Sequence, residues 1–181
     1  MVRPYMARTM LGRLFKKAAP SRPIDSARVP DGVRVYAIGD IHGRNDLLQA
    51  LLAKIDADDR ARGTADTQIV FLGDLVDRGP DSAGVIDTAM ALRGRGRTVR
   101  YLMGNHEEVF LKACRERDSK TLRFFLNIGG DATLQSYPIT RAEYIELDIE
   151  QLAERLATLV PEAHLAFLES FEDMIVLGDY A

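Results

Sequence analysis

The sequence has little cysteine and little histidine: one cysteine, Cys114, and three histidines among 181 residues. One cysteine cannot form a disulfide within the chain, nor can it supply a metal site built from several cysteines. We therefore expect Cys114 to be a packing residue, and this composition favours a reducing, cytoplasmic setting. No apolar run approaches the length of a transmembrane helix, so no membrane-spanning segment is predicted.

Charge is unevenly distributed along the chain. The hydrophobic fraction of 46% and the charged fraction of 28% are typical of a globular protein, and the net charge is −3. Residues 1–30, however, carry seven basic side chains and one acidic side chain. Such a segment can contact lipid or nucleic acid, but a solvated tail is the simpler interpretation. We predict a flexible basic arm over 1–30, one domain over 31–181, and no specific nucleic-acid partner.

Three units of one pattern follow the arm. Apolar strands are predicted at 33–38, 68–72 and 98–103, and each is followed by a polar loop and a helical pattern. The first predicted helix has an apolar face, and the second includes residues 85–90. The third is predicted from Glu107 to about Arg117. The repeated order predicts an α/β fold with parallel strands and right-handed crossovers. The face expected to pack on the core in the first helix comprises Leu47, Leu48, Leu51, Leu52 and Ile55.

The remainder of the chain is predicted to be mainly helical. Residues 118–137 have a helical pattern that Gly129 and Gly130 interrupt, and helix continues from 139 to about Phe171. The apolar run Met174–Leu177 indicates a fourth strand.

Each predicted strand ends in a loop rich in glycine and in polar side chains. The loops read Gly-Asp-Ile-His-Gly at 39–43, Gly-Asp-Leu-Val-Asp-Arg-Gly at 73–79 and Gly-Asn-His-Glu at 104–107. Taken singly, each loop is typical of a simple turn or a helix cap. Three of them at intervals of about one βαβ repeat are better explained by a shared cleft at the carboxyl edge of a parallel sheet.

The side chains in these loops suit a metal-dependent phosphate site. Carboxylate, imidazole and amide groups suit Mn²⁺, Fe and Zn²⁺ as ligands, and Mn²⁺ is the metal we expect. Two such ions can lie about 3.5–4 Å apart if one carboxylate bridges them. Arg78 offers a planar fork for phosphate oxygens. His106 can act as a general acid, and Asp77 can orient it and support its protonated form.

The three motifs resemble those of the calcineurin-like metallophosphoesterases, in particular the serine/threonine phosphoprotein phosphatase branch of bacterial type. The resemblance is dense from Gly39 to Glu107 and looser over 127–134. It implies a β-sandwich of two mixed sheets flanked by helices, with two divalent metal ions. The implied roles are a first metal site of Asp40, His42 and bridging Asp74, a second site using Asp74 and Asn105, catalytic His106 paired with Asp77, and phosphate-binding Arg78.

The sequence departs from that family after the third motif. Family members supply further histidines to the second metal and a second phosphate-binding arginine. Here the remaining histidine is His164, which we expect to be structural. The resemblance therefore implies a chain that is truncated at its C-terminus, with an incomplete fold and one metal held tightly.

Three functions remain open at this point. The leading one is hydrolysis of phosphoserine or phosphothreonine in proteins by two-metal activation of water, which Asp77 and Glu107 favour. The alternative is hydrolysis of a dinucleoside tetraphosphate, since Gly79-Pro80-Asp81-Ser82 resembles both branches. The third is a truncated homologue that binds metal or phosphate without catalysis. The expected partner is a phosphoprotein or a small phosphoester.

Overall fold

The computed structural model describes residues 27–93 and 96–181. Most of the basic arm predicted over 1–30 therefore lies outside the described residues. In chain order the first half contains β1 (Val33–Ile38), α1 (Asn45–Ala61), β2 (Asp66–Phe71), α2 (Ser82–Leu92), β3 (Thr98–Tyr101) and α3 (Asn105–Glu116). The second half contains α4 (Ser119–Phe125), a π-helical turn (Leu126–Gly130), α5 (Asp131–Gln135), α6 (Arg141–Glu146), α7 (Ile149–Leu159) and α8 (Glu162–Glu169).

The three strands form one parallel sheet, as predicted, and their order in it is β1-β2-β3. Ile38 pairs with Phe71, and Phe71 pairs with Tyr101, so the last residues of the three strands lie side by side. This register brings the three polar loops to one edge of the sheet. The α/β class is therefore confirmed. The described residues contain one parallel sheet, and the predicted sandwich of two mixed sheets stays an expectation.

Aromatic side chains fill the core between the sheet and the helices. Tyr101 stacks on Phe71 with ring centroids 4.9 Å apart and on Phe171 at 5.0 Å. Phe110 of α3 stacks on Phe125 of α4 at 5.4 Å, which joins the helical second half to α3. Cys114 is buried in this core, as expected of a packing residue, and burial raises the pKa of its thiol to about 12.

His164 also has a structural environment. Its ring is buried, Nδ1 lies 3.0 Å from the hydroxyl of Tyr137, and Nε2 lies 3.0 Å from a carboxylate oxygen of Asp87. These contacts join α8 to α2 and to the segment after α5. They agree with the expectation that His164 has no role in metal binding.

The predicted core face of α1 is wrong in part. Leu48 and Ile55 are buried, but Leu47 is 55% exposed and Leu51 is 40% exposed. Both exposed leucines line an open groove beside Ala37 of β1. Because β1 is the edge strand of the described sheet, this side of α1 has no further strand to pack on.

The predicted fourth strand at Met174–Leu177 is also wrong, since these residues form no regular strand within the part of the chain that is described. The chain pairs with the end of β3 only around Glu172, whose N–H donates to Tyr101 O at 2.9 Å and whose carbonyl accepts from Met103 N at 3.0 Å. Beyond it, Met174 is 66% exposed and Val176 is 57% exposed. The apolar pattern lacks a continuous neighbouring strand, so it does not form a ladder.

None of the described helices is both long enough and apolar enough to cross a membrane.

Candidate active site

The first two loops are bonded to each other through their backbones. His42 N donates to Asp74 O at 3.0 Å, and Gly43 N donates to Leu75 O at 2.8 Å. The loops approach so closely that a Cβ at Gly79 would lie 2.1 Å from the carbonyl oxygen of His42. Glycine is therefore required at 79, and the contact fixes the side chains of both loops relative to one another.

Backbone strain is concentrated in the same two loops. Four residues other than glycine adopt left-handed backbone angles there: His42 (φ 44°), Asp74 (φ 54°), Asp77 (φ 72°) and Arg78 (φ 68°). Each such conformation costs about 1 kcal/mol or more and persists only where the surroundings hold it. Strain of this kind clusters at functional sites, and here it falls on four of the residues that the sequence singled out.

Glu107 fixes the backbone of the second loop through hydrogen bonds. Its carboxylate is completely buried and accepts four backbone hydrogen bonds, from Asp74, Leu75, Val76 and Gly104, at 2.8–3.2 Å. Burial raises the pKa of Glu107, and the backbone N–H groups oppose that shift by stabilising the anion. This residue therefore links the second loop to the first turn of α3, which carries Asn105 and His106.

The predicted pairing of His106 with Asp77 is present. His106 Nδ1 lies 2.6 Å from Asp77 Oδ2, and both side chains are buried. Burial raises the pKa of Asp77, while the hydrogen bonds from His106 and Thr133 oppose the rise. A carboxylate held behind the imidazole fixes the ring orientation and stabilises a proton on it.

The two imidazoles present their Nε2 atoms to the same space. His42 Nδ1 lies 2.9 Å from the carbonyl oxygen of Val76, so Nδ1 carries the proton and donates. Nδ1 of His106 likewise donates to Asp77. Both Nε2 atoms therefore act as acceptors, and the guanidinium of Arg78 donates to them at 2.6 Å and 2.9 Å.

A candidate metal centre lies at this point. Ligand atoms of His42, Asp74 and His106 all lie within 4.8 Å of one another. Two imidazoles whose Nε2 atoms are acceptors and one carboxylate fit a divalent ion such as Mn²⁺, Fe²⁺ or Zn²⁺. The donor chemistry thus agrees with the metal predicted from the sequence, although His106 was expected to be an acid beside the metal and not one of the cluster.

Of the other predicted ligands, Asp40 lies beside this cluster and Asn105 is the chain neighbour of His106. A carboxylate oxygen of Asp40 is 3.8 Å from His42 Nε2, and the Asp40 side chain is 70% exposed. Asn105 is the exposed first residue of α3, directly before His106. All seven residues predicted for the site therefore lie on the three loops that meet at the carboxyl edge of the sheet.

Sequence reasoning missed the residues that support the site from outside the loops. Thr133 and Ser82 bond to Asp77, and Gly129 O accepts from Arg78 N at 2.9 Å. Of these, Gly129 gave a signal, since its glycine pair was predicted to interrupt a helix, and its φ is 109° in the π-helical turn. Thr133 lies in the segment 127–134 of the looser resemblance, but no sequence pattern indicated its contact with Asp77, which is 56 residues away in the chain.

Comparison with known proteins identifies related sequences. The family described as Calcineurin-like phosphoesterase matches residues 33–170. A protein of Delftia acidovorans named symmetrical bis(5'-nucleosyl)-tetraphosphatase is 42% identical over 79 residues, which cover 44% of this chain and 25% of that protein. A protein of the same name from Cellvibrio japonicus is 40% identical over 72 residues, which cover 40% and 24%. These matches therefore span about a quarter of each relative's length.

One solved structure, of a hypothetical protein from Pyrococcus horikoshii OT3, has a TM-score of 0.47 at 18% identity, covering 77% of this chain and 48% of that one.

Proposed function

Because the chain belongs to the calcineurin-like phosphoesterase family, we propose that its three-loop cleft hydrolyses a phosphoester with the help of a divalent metal ion. We propose further that the substrate is a symmetrical dinucleoside tetraphosphate. The observation that carries the reaction type is the convergence of His42, Asp74 and His106 within 4.8 Å, beside the guanidinium of Arg78. The substrate class is supported by the printed names of the curated relatives.

This order of substrates reverses the sequence-based preference for a phosphoprotein. The relatives are named for the tetraphosphate activity, which was the alternative that the sequence left open. Serine/threonine phosphatase activity remains the second candidate. It is favoured by the 2.6 Å bond between Asp77 and His106, because Asp77 is the residue whose presence resembled the phosphoprotein branch.

Metal binding in this proposal uses the cluster and its neighbours. His42 and Asp74 would hold the ion, with Asp40 and Asn105 as flanking ligands, and Mn²⁺ is the metal we expect. A divalent ion bound there supplies Lewis-acid polarisation of a phosphoryl oxygen and lowers the pKa of a bound water. Two such ions in the whole protein would extend this chemistry to both the attacking and the leaving oxygen.

The protein's own groups supply the remaining chemistry. The guanidinium of Arg78 can bind phosphoryl oxygens through two parallel N–H groups and so orient the substrate. Asp77 holds the His106 ring with Nε2 facing the guanidinium of Arg78 and stabilises its cationic form. His106 can then deliver a proton from Nε2 to the leaving oxygen.

A comparison of three substrates tests the proposal. The chain with Mn²⁺ is incubated with diadenosine tetraphosphate, a phosphoserine peptide and an aryl phosphate, with Asp74→Asn as the inactive control. Symmetrical cleavage of the first substrate gives ADP alone, and we expect it to be the fastest reaction. Faster release of phosphate from the peptide would favour the second candidate. Metal binding without turnover of any substrate would support a non-catalytic homologue.

A further inference from the structure

A buried hydroxyl lies against the Asp77–His106 pair. The Oγ1 atom of Thr133, on α5, is 2.7 Å from Asp77 Oδ1, the carboxylate oxygen that His106 does not use. It is also 2.7 Å from the backbone nitrogen of Asp77. Ser82 Oγ lies 2.9 Å from Thr133 Oγ1 and 3.1 Å from Asp77 N. Thr133, Ser82 and Asp77 are all completely buried.

The protons in this network can be arranged in one way only when Asp77 is ionised. A carboxylate oxygen accepts, so the hydroxyl of Thr133 must donate its single proton to Asp77 Oδ1. Thr133 Oγ1 then accepts from Asp77 N–H and from the hydroxyl of Ser82. The bonds therefore run from Ser82 to Thr133 and on to Asp77, whose other oxygen accepts from His106 Nδ1–H.

The same segment also holds the backbone of the second loop. Asp77 and Arg78 are in the left-handed region, with φ of 72° and 68°. Thr133 accepts from the N–H of Asp77, and the carbonyl of Gly129 accepts from the N–H of Arg78 at 2.9 Å. Residues 129–133 thus contribute hydrogen bonds at the two successive positions where the loop is strained.

We propose that Thr133 is a positioning residue for His106. Its hydroxyl fixes Asp77 Oδ1 and the Asp77 backbone, so that Oδ2 points at His106 Nδ1–H and the ring keeps Nε2 directed at the guanidinium of Arg78. A loss of this hydroxyl frees the carboxylate to rotate, and the imidazole then loses its preference for the Nδ1–H tautomer. The inference rests on the proposed function only for the catalytic role of His106. The hydrogen bonds among Thr133, Asp77 and His106 do not depend on that function.

The test is a tautomer measurement on the full chain without added metal. Labelling with ¹⁵N-histidine gives signals from three side chains, and His106→Asn identifies those of His106. The spectra are recorded at about pH 8, above the ordinary pKa of histidine. In Thr133→Val, which removes the hydroxyl at nearly constant shape, the two ring nitrogen signals of His106 should move toward each other as the tautomers average. Thr133→Ser should restore the wild-type separation.

A matched control is available at the opposite end of β2. The hydroxyl of Thr67 is 2.6 Å from a carboxylate oxygen of Asp59, and Thr67 is 8% exposed. Thr67→Val therefore removes a similar threonine–aspartate bond away from the cleft and should leave the signals of His106 unchanged. A folded Thr133→Val variant with the wild-type separation would overturn the proposal.

A second variant covers the case in which Thr133→Val does not fold. Ser82→Ala removes the donor that orients the Thr133 hydroxyl and should move the His106 signals in the same direction by a smaller amount. Wild-type signals in Ser82→Ala would then overturn the proposal.

Kinetics separate this inference from the proposed function. If the chain hydrolyses a phosphoester, Thr133→Val should lower kcat about 10- to 100-fold, the usual effect of losing a supporting partner, with KM and metal content unchanged. A chain without turnover would refute the proposed function and leave the tautomer result to decide the role of Thr133.

Discussion

The carboxylate of Glu107, on the first turn of α3, accepts a 2.8 Å hydrogen bond from the backbone N–H of Leu75 in the second loop. The same carboxylate accepts hydrogen bonds from the backbone N–H groups of Asp74, Val76 and Gly104. A single buried carboxylate thus accepts from four backbone N–H groups that form no hydrogen bond within a strand or helix. The second and third loops keep their relative position because both bond to this side chain.

We therefore expect Glu107→Gln to be strongly destabilising despite its small change in shape. The amide nitrogen of glutamine would face backbone donors, which leaves at least one of them unsatisfied in a buried place. Each such group costs about 1–3 kcal/mol, so denaturant unfolding should show a loss of at least that size. Glu108→Gln on the exposed side of the same helix is the control and should change the free energy of unfolding by less than about 0.5 kcal/mol. Equal effects of the two changes would show that the backbone bonds to Glu107 contribute little.

A second prediction concerns the role of His106. Because Asp77 supports a proton on its ring, we expect His106→Asn to lower kcat by about 10²–10⁴-fold on an alkyl phosphoester. The loss should be smaller on an aryl phosphate, whose leaving group needs less protonation. Metal content, measured by elemental analysis after dialysis, should stay near that of the wild type.

The same experiment tests whether His106 is instead a metal ligand. His106 lies close enough to His42 and Asp74 to act as a ligand. Loss of metal from His106→Asn, together with equal kinetic effects on both esters, would identify it as a ligand and refute the acid assignment.

A third prediction concerns Arg78. Removing its guanidinium in Arg78→Ala takes away charge-assisted hydrogen bonds of about 1.5–3 kcal/mol each, so KM should rise about tenfold or more. Metal affinity should not fall, because the guanidinium donates to His42 Nε2, an atom that a metal would use. Arg78→Lys keeps the charge without the planar fork and should give an intermediate KM. Steady-state kinetics with unchanged KM in the alanine variant would exclude Arg78 from substrate binding.

The sequence predicted the parts of the fold that depend on local pattern. β1 has the predicted bounds Val33–Ile38, and β2 and β3 are shifted or shortened by one or two residues. The three loops could be assigned to one edge because parallel strands with crossovers leave no other arrangement. The predicted pairing of Asp77 with His106 is likewise present in the structure.

The errors and omissions concern long-range packing. Met174–Leu177 has the pattern of a strand, yet a strand needs a neighbour to bond, and the chain meets β3 only near Glu172. Leu47 and Leu51 have the spacing of a helical core face, but they are exposed. They lie over β1, the edge strand of the described sheet, and no further strand covers them there. The hydrogen bonds of Thr133 to Asp77 join residues 56 positions apart, and single-sequence patterns carry no information about such contacts.

The most direct test of the account is a calorimetric titration with Mn²⁺ of the wild-type chain and of Asp74→Asn. Asp74 has a left-handed backbone (φ 54°), which asparagine tolerates well, so the variant should fold and lose only the charge of the carboxylate. We predict one tight Mn²⁺ site in the wild-type chain, formed around His42 and Asp74, and loss of most of that binding in the variant. Equal Mn²⁺ binding by both chains, with the variant folded, would contradict the assignment of this cleft as the metal centre.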